Sequence, residues 1–378
     1  MTEMFSERPS LSRYDSVSHY ALGLLNHALS SSTKSNADVK SVVTGSGNAS
    51  EIYCIQLNNG GYSSSMIAKI PNQEYVHGQW DHTKSSLLLP NDHKQKASSI
   101  RSEMLVADLH NREVLFLRYA SLNIQNELKF PTLYHGDFIS DDQEGIILME
   151  DFTKQQTNID THTLSISQVE MLIDETCKLQ IGCVNDCELG EHFPLLDSQL
   201  EVISRSVIRS VGVLGNRRLS WFTKNVQDRV RKLAEPSQLK LLLASSNGIN
   251  VLCHGNLTVN DTLWHQTNDS NFELLSIIDW QCSHVGSQTT DLATVVAVNL
   301  SSADRQKAES ELIRRYVSNW NKIDGVKKLS LSEIELMYHE SLKYAVLKLL
   351  TNFNINECTE STSNSILIER LKSLIAFV

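Results

Sequence analysis
The stretch His254-Gly255-Asn256-Leu257-Thr258-Val259-Asn260-Asp261, followed by Ile277-Ile278-Asp279-Trp280, constrains the fold more than any other part of the chain. Each piece is a short apolar run that breaks into a polar loop. Val251 to Cys253 leads into the first and Glu273 to Ile278 into the second, with another short run at Leu263 to His265 between them. Runs of that length read as strands. From Ile166 onward the surrounding residues are mostly helical in pattern. The second half must therefore be helix-rich and hold an embedded pair of loops, which carry two side-chain amides, Asn256 and Asn260, and two carboxylates, Asp261 and Asp279.

The first half follows another pattern. Val17, Tyr20, Ala21, Leu24, Leu25 and Ala28 fall at helical spacing and predict a leading helix over 15–29, ended by the polar tract from Ser30 to Asn36. Strands are expected from Lys40 to Val43, running on through Glu51 to Leu57, and from Ser65 to Ile70. Asn58-Asn59-Gly60-Gly61 marks a hairpin between them, because Asn and Gly tolerate positive φ. Pro71 to Ser99 is polar and without clear period, and reads as a long insertion. Helical spacing resumes from Arg101 to Ala120, Ile146 to Met149 is a short apolar strand, and Glu150-Asp151-Phe152 leads into a polar linker. Ser330 with Glu333 predicts a capping box for a helix running through Leu350. No internal repeat is present. The expected fold class is α+β, with a small β-rich N-terminal lobe over 1–151 and a large helical lobe over 152–378.

At 378 residues the chain can bury a core large enough for two lobes. Its net charge of −10 argues against a nucleic-acid surface, which needs a concentrated basic face. The longest apolar stretches are core-strand length, well short of a membrane span. Met1 to Arg13 has no apolar core of a signal peptide. Seven scattered cysteines fit reduced thiols and a cytoplasmic setting. Cys183 and Cys187, four apart, would share a helix face and suit either a redox or metal site or ordinary buried thiols.

Two further places could serve a nucleotide. Thr44 to Glu51, with Gly45 and Gly47, supplies small residues where a backbone can close over an anion, although a Gly-x-Gly between strands is by itself usually a turn. Lys69 is the one cation in the apolar strand Met66-Ile67-Ala68-Lys69-Ile70. It reads either as an exposed edge charge or as a phosphate ligand. The second reading gains weight from Glu113 in the next helix, which could hold it.

Lys69 in its Ala-Lys-Ile-Pro context, His-Asn-Arg-Glu-Val at 110–114, Leu-Met-Glu-Asp at 148–151, the His254 loop through Trp264, and Ile277 to Gly286 resemble the CHK kinase-like family. That family is related to ecdysteroid kinases, choline kinases and aminoglycoside phosphotransferases, and the Cys-Ser-His-Val-Gly extension resembles its nematode branch. The match runs in order from about Thr44 to Leu292. It implies a bilobal protein-kinase-like fold, ATP and Mg²⁺ as cofactors, and transfer of the γ-phosphate to a hydroxyl of a small molecule. By position, Lys69 would contact phosphates and Glu113 would hold Lys69. Met149, Glu150 and Asp151 would face the adenine, and Asp261 and Asp279 would hold the metal. His254 and Asp291 would brace the loop. The departure is at Asn256, which stands where the family pattern His-Gly-Asp-x-x-x-x-Asn has its catalytic Asp, while Asp261 stands where it has Asn. An amide can orient a hydroxyl but cannot take its proton. Two readings follow: a phosphotransferase with attenuated chemistry acting on a small alcohol, and a pseudokinase that binds nucleotide and regulates a protein partner. The acceptor is expected to contact residues 155–245 and 300–378. No anionic or aromatic cluster there favours choline.

Overall fold
The computed structural model describes residues 36–41, 50–59, 62–71, 91–124, 128–140, 145–157, 162–245, 249–268, 271–353 and 362–378, and of 36–41, 57–59, 62–63, 91–103 and 362–363 the backbone alone. The leading helix expected over 15–29, and Gly45 and Gly47, lie outside the described residues. The chain divides into two units, Met1–Ala107 with Thr132–Asp151, and Asp108–Pro131 with Phe152–Val378.

The first unit is built on a five-stranded antiparallel sheet of β1 (Asn36–Ser41), β2 (Ser50–Asn59), β3 (Tyr62–Pro71), β4 (Leu133–Asp137) and β5 (Ile146–Glu150), in the order β1-β2-β3-β5-β4. The run expected through Lys40 to Leu57 is therefore two strands folded back on each other, with Ser41 opposite Tyr53. Strand side chains alternate between faces, so Tyr53, Ile55, Met66, Ala68, Ile70, Ile146 and Leu148 make one apolar face, and Lys69 belongs to the other. Lys69 sits on an interior strand, opposite Ile52 on one side and Ile147 on the other, and is 6% exposed. The alternative of an exposed edge charge is thereby removed.

The polar stretch expected to be an insertion up to Ser99 ends earlier. Helix α1 (Asn91–Asn123) already covers 91–99. Its first turns hold Lys, Gln and Ala, good helix formers without an apolar stripe, so propensity rather than periodicity makes the helix there. Its latter part, from Asp108 and including Glu113, belongs to the second unit.

The second unit carries α2 (Ile166–Cys183), α3 (Leu189–His192), α4 (Asp197–Asn216), α5 (Lys224–Leu233), α6 (Pro236–Leu243), α7 (Thr289–Asn299), α8 (Ser302–Asn321), α9 (Leu331–Thr351) and α10 (Thr362–Leu374). Cys183 closes α2 and is buried, whereas Cys187 lies beyond it and is exposed, so the two do not share a helix face. Helix α9 starts after Ser330 as expected, but Ser330 makes no side-chain cap, and its hydroxyl meets that of Ser332 at 2.9 Å instead. Every residue of α7 is buried. Of its buried polar side chains, Asp291 and Asn299 bond to backbone groups of the His254 loop and Thr294 to the carbonyl of Thr290, and α9 packs against it. Two short antiparallel ladders complete the unit: β6 (Asn250–Cys253) with β9 (His284–Ser287), and β7 (Thr262–Asn268) with β8 (Asn271–Ile277). The β9 strand was not foreseen.

Candidate nucleotide and catalytic site
The two ladders bring the His254 and Asp279 loops together. Thr262 pairs with Ile277, and the amide of Ile278 donates to the carbonyl of Asp261 at 2.9 Å. One loop therefore ends where the other begins.

Most polar backbone groups of the first loop have a partner. Asp291, fully buried on α7, accepts the amides of His254 at 2.6 Å and Gly255 at 2.9 Å. Tyr344 on α9 donates its hydroxyl to the carbonyl of Gly255 at 3.0 Å. Asn299, at the end of α7, donates to the carbonyl of Leu257 at 3.2 Å and accepts the amide of Val259 at 2.7 Å. Gly255 has φ +79, and a Cβ there would collide with the carbonyl of Cys282 and lie 2.9 Å from Nδ1 of His284. Glycine is required at this crossing.

His254 is held as a neutral imidazole. The amide of Asn256 donates to its Nδ1 at 3.3 Å, so Nε2 carries the hydrogen and donates to the carbonyl of Ile278 at 3.0 Å. Burial pulls its pKa down to about 4. Its ring lies 4.5 Å from that of Trp280, which stacks on Phe116 at 3.8 Å. His284 is likewise buried and lowered to about 4, with Nδ1 on the carbonyl of Cys282. A His whose folded pKa lies below its unfolded value of 6.5 binds a proton more readily in the unfolded chain. Its contribution to stability is complete above about pH 6.5 and is lost as pH falls toward about 4. Between pH 7 and 4.5, H284Q is accordingly expected to lose about 2–3 kcal/mol less stability than the parent, read by urea unfolding at both pH values. Asp261 and Asp291, raised to about 8 and about 6 by burial, act in the opposite sense. For that reason the difference between the two proteins is the readout. Equal losses in both would sink this account of His284.

Asn256 and Asp261 are in contact. The Asn256 amide donates to Oδ2 of Asp261 at 3.2 Å, and the same oxygen accepts the Thr258 amide at 3.0 Å and its hydroxyl at 2.8 Å. Asp261 is 5% exposed, and its pKa is raised to about 8 by burial first and by the negative charge of Asp279 second. Asp279 is half-buried, accepts Gln281 Nε2 at 2.8 Å, and takes the left-handed conformation at φ 64, ψ 51, which Asp and Asn tolerate better than other residues with a Cβ. Asn260 is exposed.

The structure thus gathers His254, Asn256, Asp261, Asp279 and Asp291 in the second unit. Glu113 is in that unit too and is 1% exposed, whereas Lys69, Met149, Glu150 and Asp151 belong to the first. The Glu150 carboxylate accepts the Thr132 hydroxyl at 2.8 Å, and Asp151 accepts the Cys54 thiol at 3.5 Å. Sequence reasoning missed Asn299 and Tyr344, which hold the loop, and passed over Lys348, buried one turn after Tyr344. Lys348 had a visible signal, as the single charge in the apolar run Ala345-Val346-Leu347-Lys348-Leu349-Leu350.

The profile of the DUF1679 family, described as "Uncharacterized oxidoreductase dhs-27", matches residues 30–375. The chain belongs to this family. A Caenorhabditis elegans protein carrying the same description is 24% identical over 311 residues, covering 76% of this chain and 37% of that protein. The chain therefore spans little more than a third of the length of that curated relative. Among solved structures, choline kinase from Cryptosporidium parvum aligns with TM-score 0.50 and 12% identity, over 95% of this chain and 92% of that one. A putative aminoglycoside phosphotransferase from Ralstonia eutropha aligns with TM-score 0.51 and 9% identity, over 95% and 97%. APH(2")-IIia, solved with GDP and kanamycin, aligns with TM-score 0.50 and 12% identity, over 95% and 98%. At these identities the likeness is one of fold. This family member has the bilobal kinase-like fold, with a small lobe built on the five-stranded sheet and a larger helical lobe.

Proposed function
We propose that the chain is an ATP- and Mg²⁺-dependent phosphotransferase acting on a hydroxyl of a small molecule, with its transfer step weakened at Asn256. The observation that carries this reading is the meeting of the two loops, where Thr262 pairs with Ile277 and the amide of Ile278 bonds the carbonyl of Asp261 at 2.9 Å, which sets the side chains of Asp261 and Asp279 near one another. Two such oxygen donors suit Mg²⁺, which takes one or two carboxylates and completes its shell with phosphates and water. Among the described residues no group of three or more His, Cys, Asp or Glu could hold a metal ion by itself, and an ion on Asp261 and Asp279 would need the phosphates of a bound nucleotide and water to complete its shell. Bound there, the ion would supply charge stabilisation to the phosphates. Lys69 would contact those phosphates with Glu113 holding it, Gly45 and Gly47 would close over them, and Met149, Glu150 and Asp151 would face the adenine. Asn256 has an amide hydrogen engaged by Asp261. It would orient the acceptor hydroxyl through its oxygen without taking the proton. The neutral, doubly bonded His254 would hold the loop in shape.

A second reading, a pseudokinase that binds nucleotide and regulates a protein partner, is favoured by that same Asn256–Asp261 contact, which leaves the base position an amide. The oxidoreductase in the relative's description belongs to a protein of which this chain spans 37%. Dinucleotide-binding folds are built on parallel sheets, whereas every described strand pair here is antiparallel. We therefore do not transfer that activity. The odd number and scattered positions of the seven cysteines support a reducing, cytoplasmic setting. No helix among the described residues is long and apolar enough to cross a membrane.

The test is a thermal-shift titration with Mg-ATP, parent beside D279N. Asn keeps the left-handed backbone while removing the charge. At 100 times its dissociation constant a ligand stabilises the fold by ~2.7 kcal/mol. The expected result is a shift in the parent that disappears in D279N. No shift in the parent, or an undiminished one in the variant, overturns the assignment.

A further inference from the structure
Lys348 has no role in the site as described so far, yet it faces it. It lies on α9 one turn after Tyr344, whose hydroxyl is bonded to Gly255, so this face of the helix is laid against the loop that carries Asn256. The side chain is 5% exposed, and among the described residues its ammonium makes no hydrogen bond and no ion pair. The carboxylates whose charges reach it are occupied by other donors: Asp291 by two backbone amides, Asp261 by Asn256 and Thr258, Asp279 by Gln281. Burial pulls the Lys348 pKa down, while Cys282 and these three carboxylates resist. Lys348 is almost wholly buried, yet its Nζ is not among the sealed polar atoms that lack a partner, so the ammonium keeps an opening to solvent at a place where an apolar side chain of similar size would serve packing better. Three donors held in place and left unused beside a candidate phosphoryl-transfer loop are what a ligand oxyanion would need.

We propose that Lys348 receives an oxyanion carried by a ligand, a phosphoryl or carboxylate group, at the loop bearing Asn256. The oxyanion has two sources to choose between: the terminal phosphoryl group of the nucleotide, or an acidic group on the acceptor. Only the first depends on the phosphotransferase reading above.

Equilibrium binding on the full chain separates them, with parent, K348M and K348R each titrated with Mg-ADP, Mg-ATP and inorganic phosphate, the last with and without saturating Mg-ADP. K348M is expected to weaken Mg-ATP or phosphate by about tenfold or more while leaving Mg-ADP unchanged, and K348R to restore most of the loss. A loss for Mg-ATP assigns the nucleotide's terminal phosphoryl; a loss for phosphate alone assigns an acidic acceptor. Should K348M fail to fold, K348Q makes the same comparison. Equal affinities for all ligands in parent and variant overturn the proposal, as does a parent that binds none of them. A parent that binds phosphate through Lys348 but no nucleotide would sink the phosphotransferase reading and keep this one.

Discussion

Exchanging the two side chains of the loop, as N256D/D261N, is expected to raise phosphoryl transfer by ~10²–10⁴-fold over the parent, the range attributed to a positioned general base. The exchange rather than the single substitution is the informative variant, because Asn256 and Asp261 touch. N256D alone would set two carboxylates at the present 3.2 Å contact, beside a third at Asp279. Like charges at that distance resist joint ionisation. The single variant should gain less activity and have a lower thermal midpoint without Mg²⁺. In the double variant, the side-chain amide moved to position 261 could donate back to the carboxylate moved to position 256. Its oxygen would still accept from Thr258, so the hydrogen bonds of the loop are conserved with the direction of one reversed. With the acceptor unidentified, release of ADP from Mg-ATP, to water and to a panel of small alcohols, is the measurement. If the exchanged protein binds Mg-ATP as the parent does and is no faster, loss of the base does not explain the loop. The weakened-enzyme reading requires measurable turnover in the parent, and the pseudokinase reading requires none.

The loop was legible in the sequence because its chemistry is local. His254, Gly255, Asn256 and Asp261 stand within eight residues, and the hairpin of β7 and β8 delivers Asp279 by the shortest route. The strands at 146–150 and 251–253 were legible for a similar reason, as apolar runs bounded by polar loops. What holds the loop was not legible. Asn299 reaches Leu257 across 42 residues and Tyr344 reaches Gly255 across 89. Both sit in helices whose pattern speaks only of burial. The first turns of α1 failed for the opposite reason, since a helix without an apolar stripe offers no period to read. Ser330 shows the limit of motif reading: its spacing to Glu333 fits a capping box, but its hydroxyl bonds to Ser332.

Those distant supports lead to the second large effect. D291A is expected to destabilise the protein by about 2–6 kcal/mol, since it strips the acceptor from two backbone amides and each orphaned buried donor costs about 1–3 kcal/mol. The amides of His254 and Gly255 cannot turn to other partners. Gly255 is fixed at positive φ with the carbonyl of Cys282 where a Cβ would stand, and His254 is pinned by Ile278 on one nitrogen and Asn256 on the other. Water is a poor replacement, because Asp291 and His254 are both fully buried. D291N should fall between parent and D291A, as its one oxygen can accept a single amide while its NH₂ faces the other. Urea unfolding of the three proteins measures the order. If D291A proves as stable as the parent, the loop is held by Tyr344 and Asn299 without it. If D291A is destabilised yet keeps the full Mg-ATP shift of the parent, Asp291 supports the fold and has no part in placing Asp261 and Asp279 for the metal. Loss of that shift in D291N at a temperature where it remains folded would instead make loop geometry, set from α7, the condition for nucleotide binding.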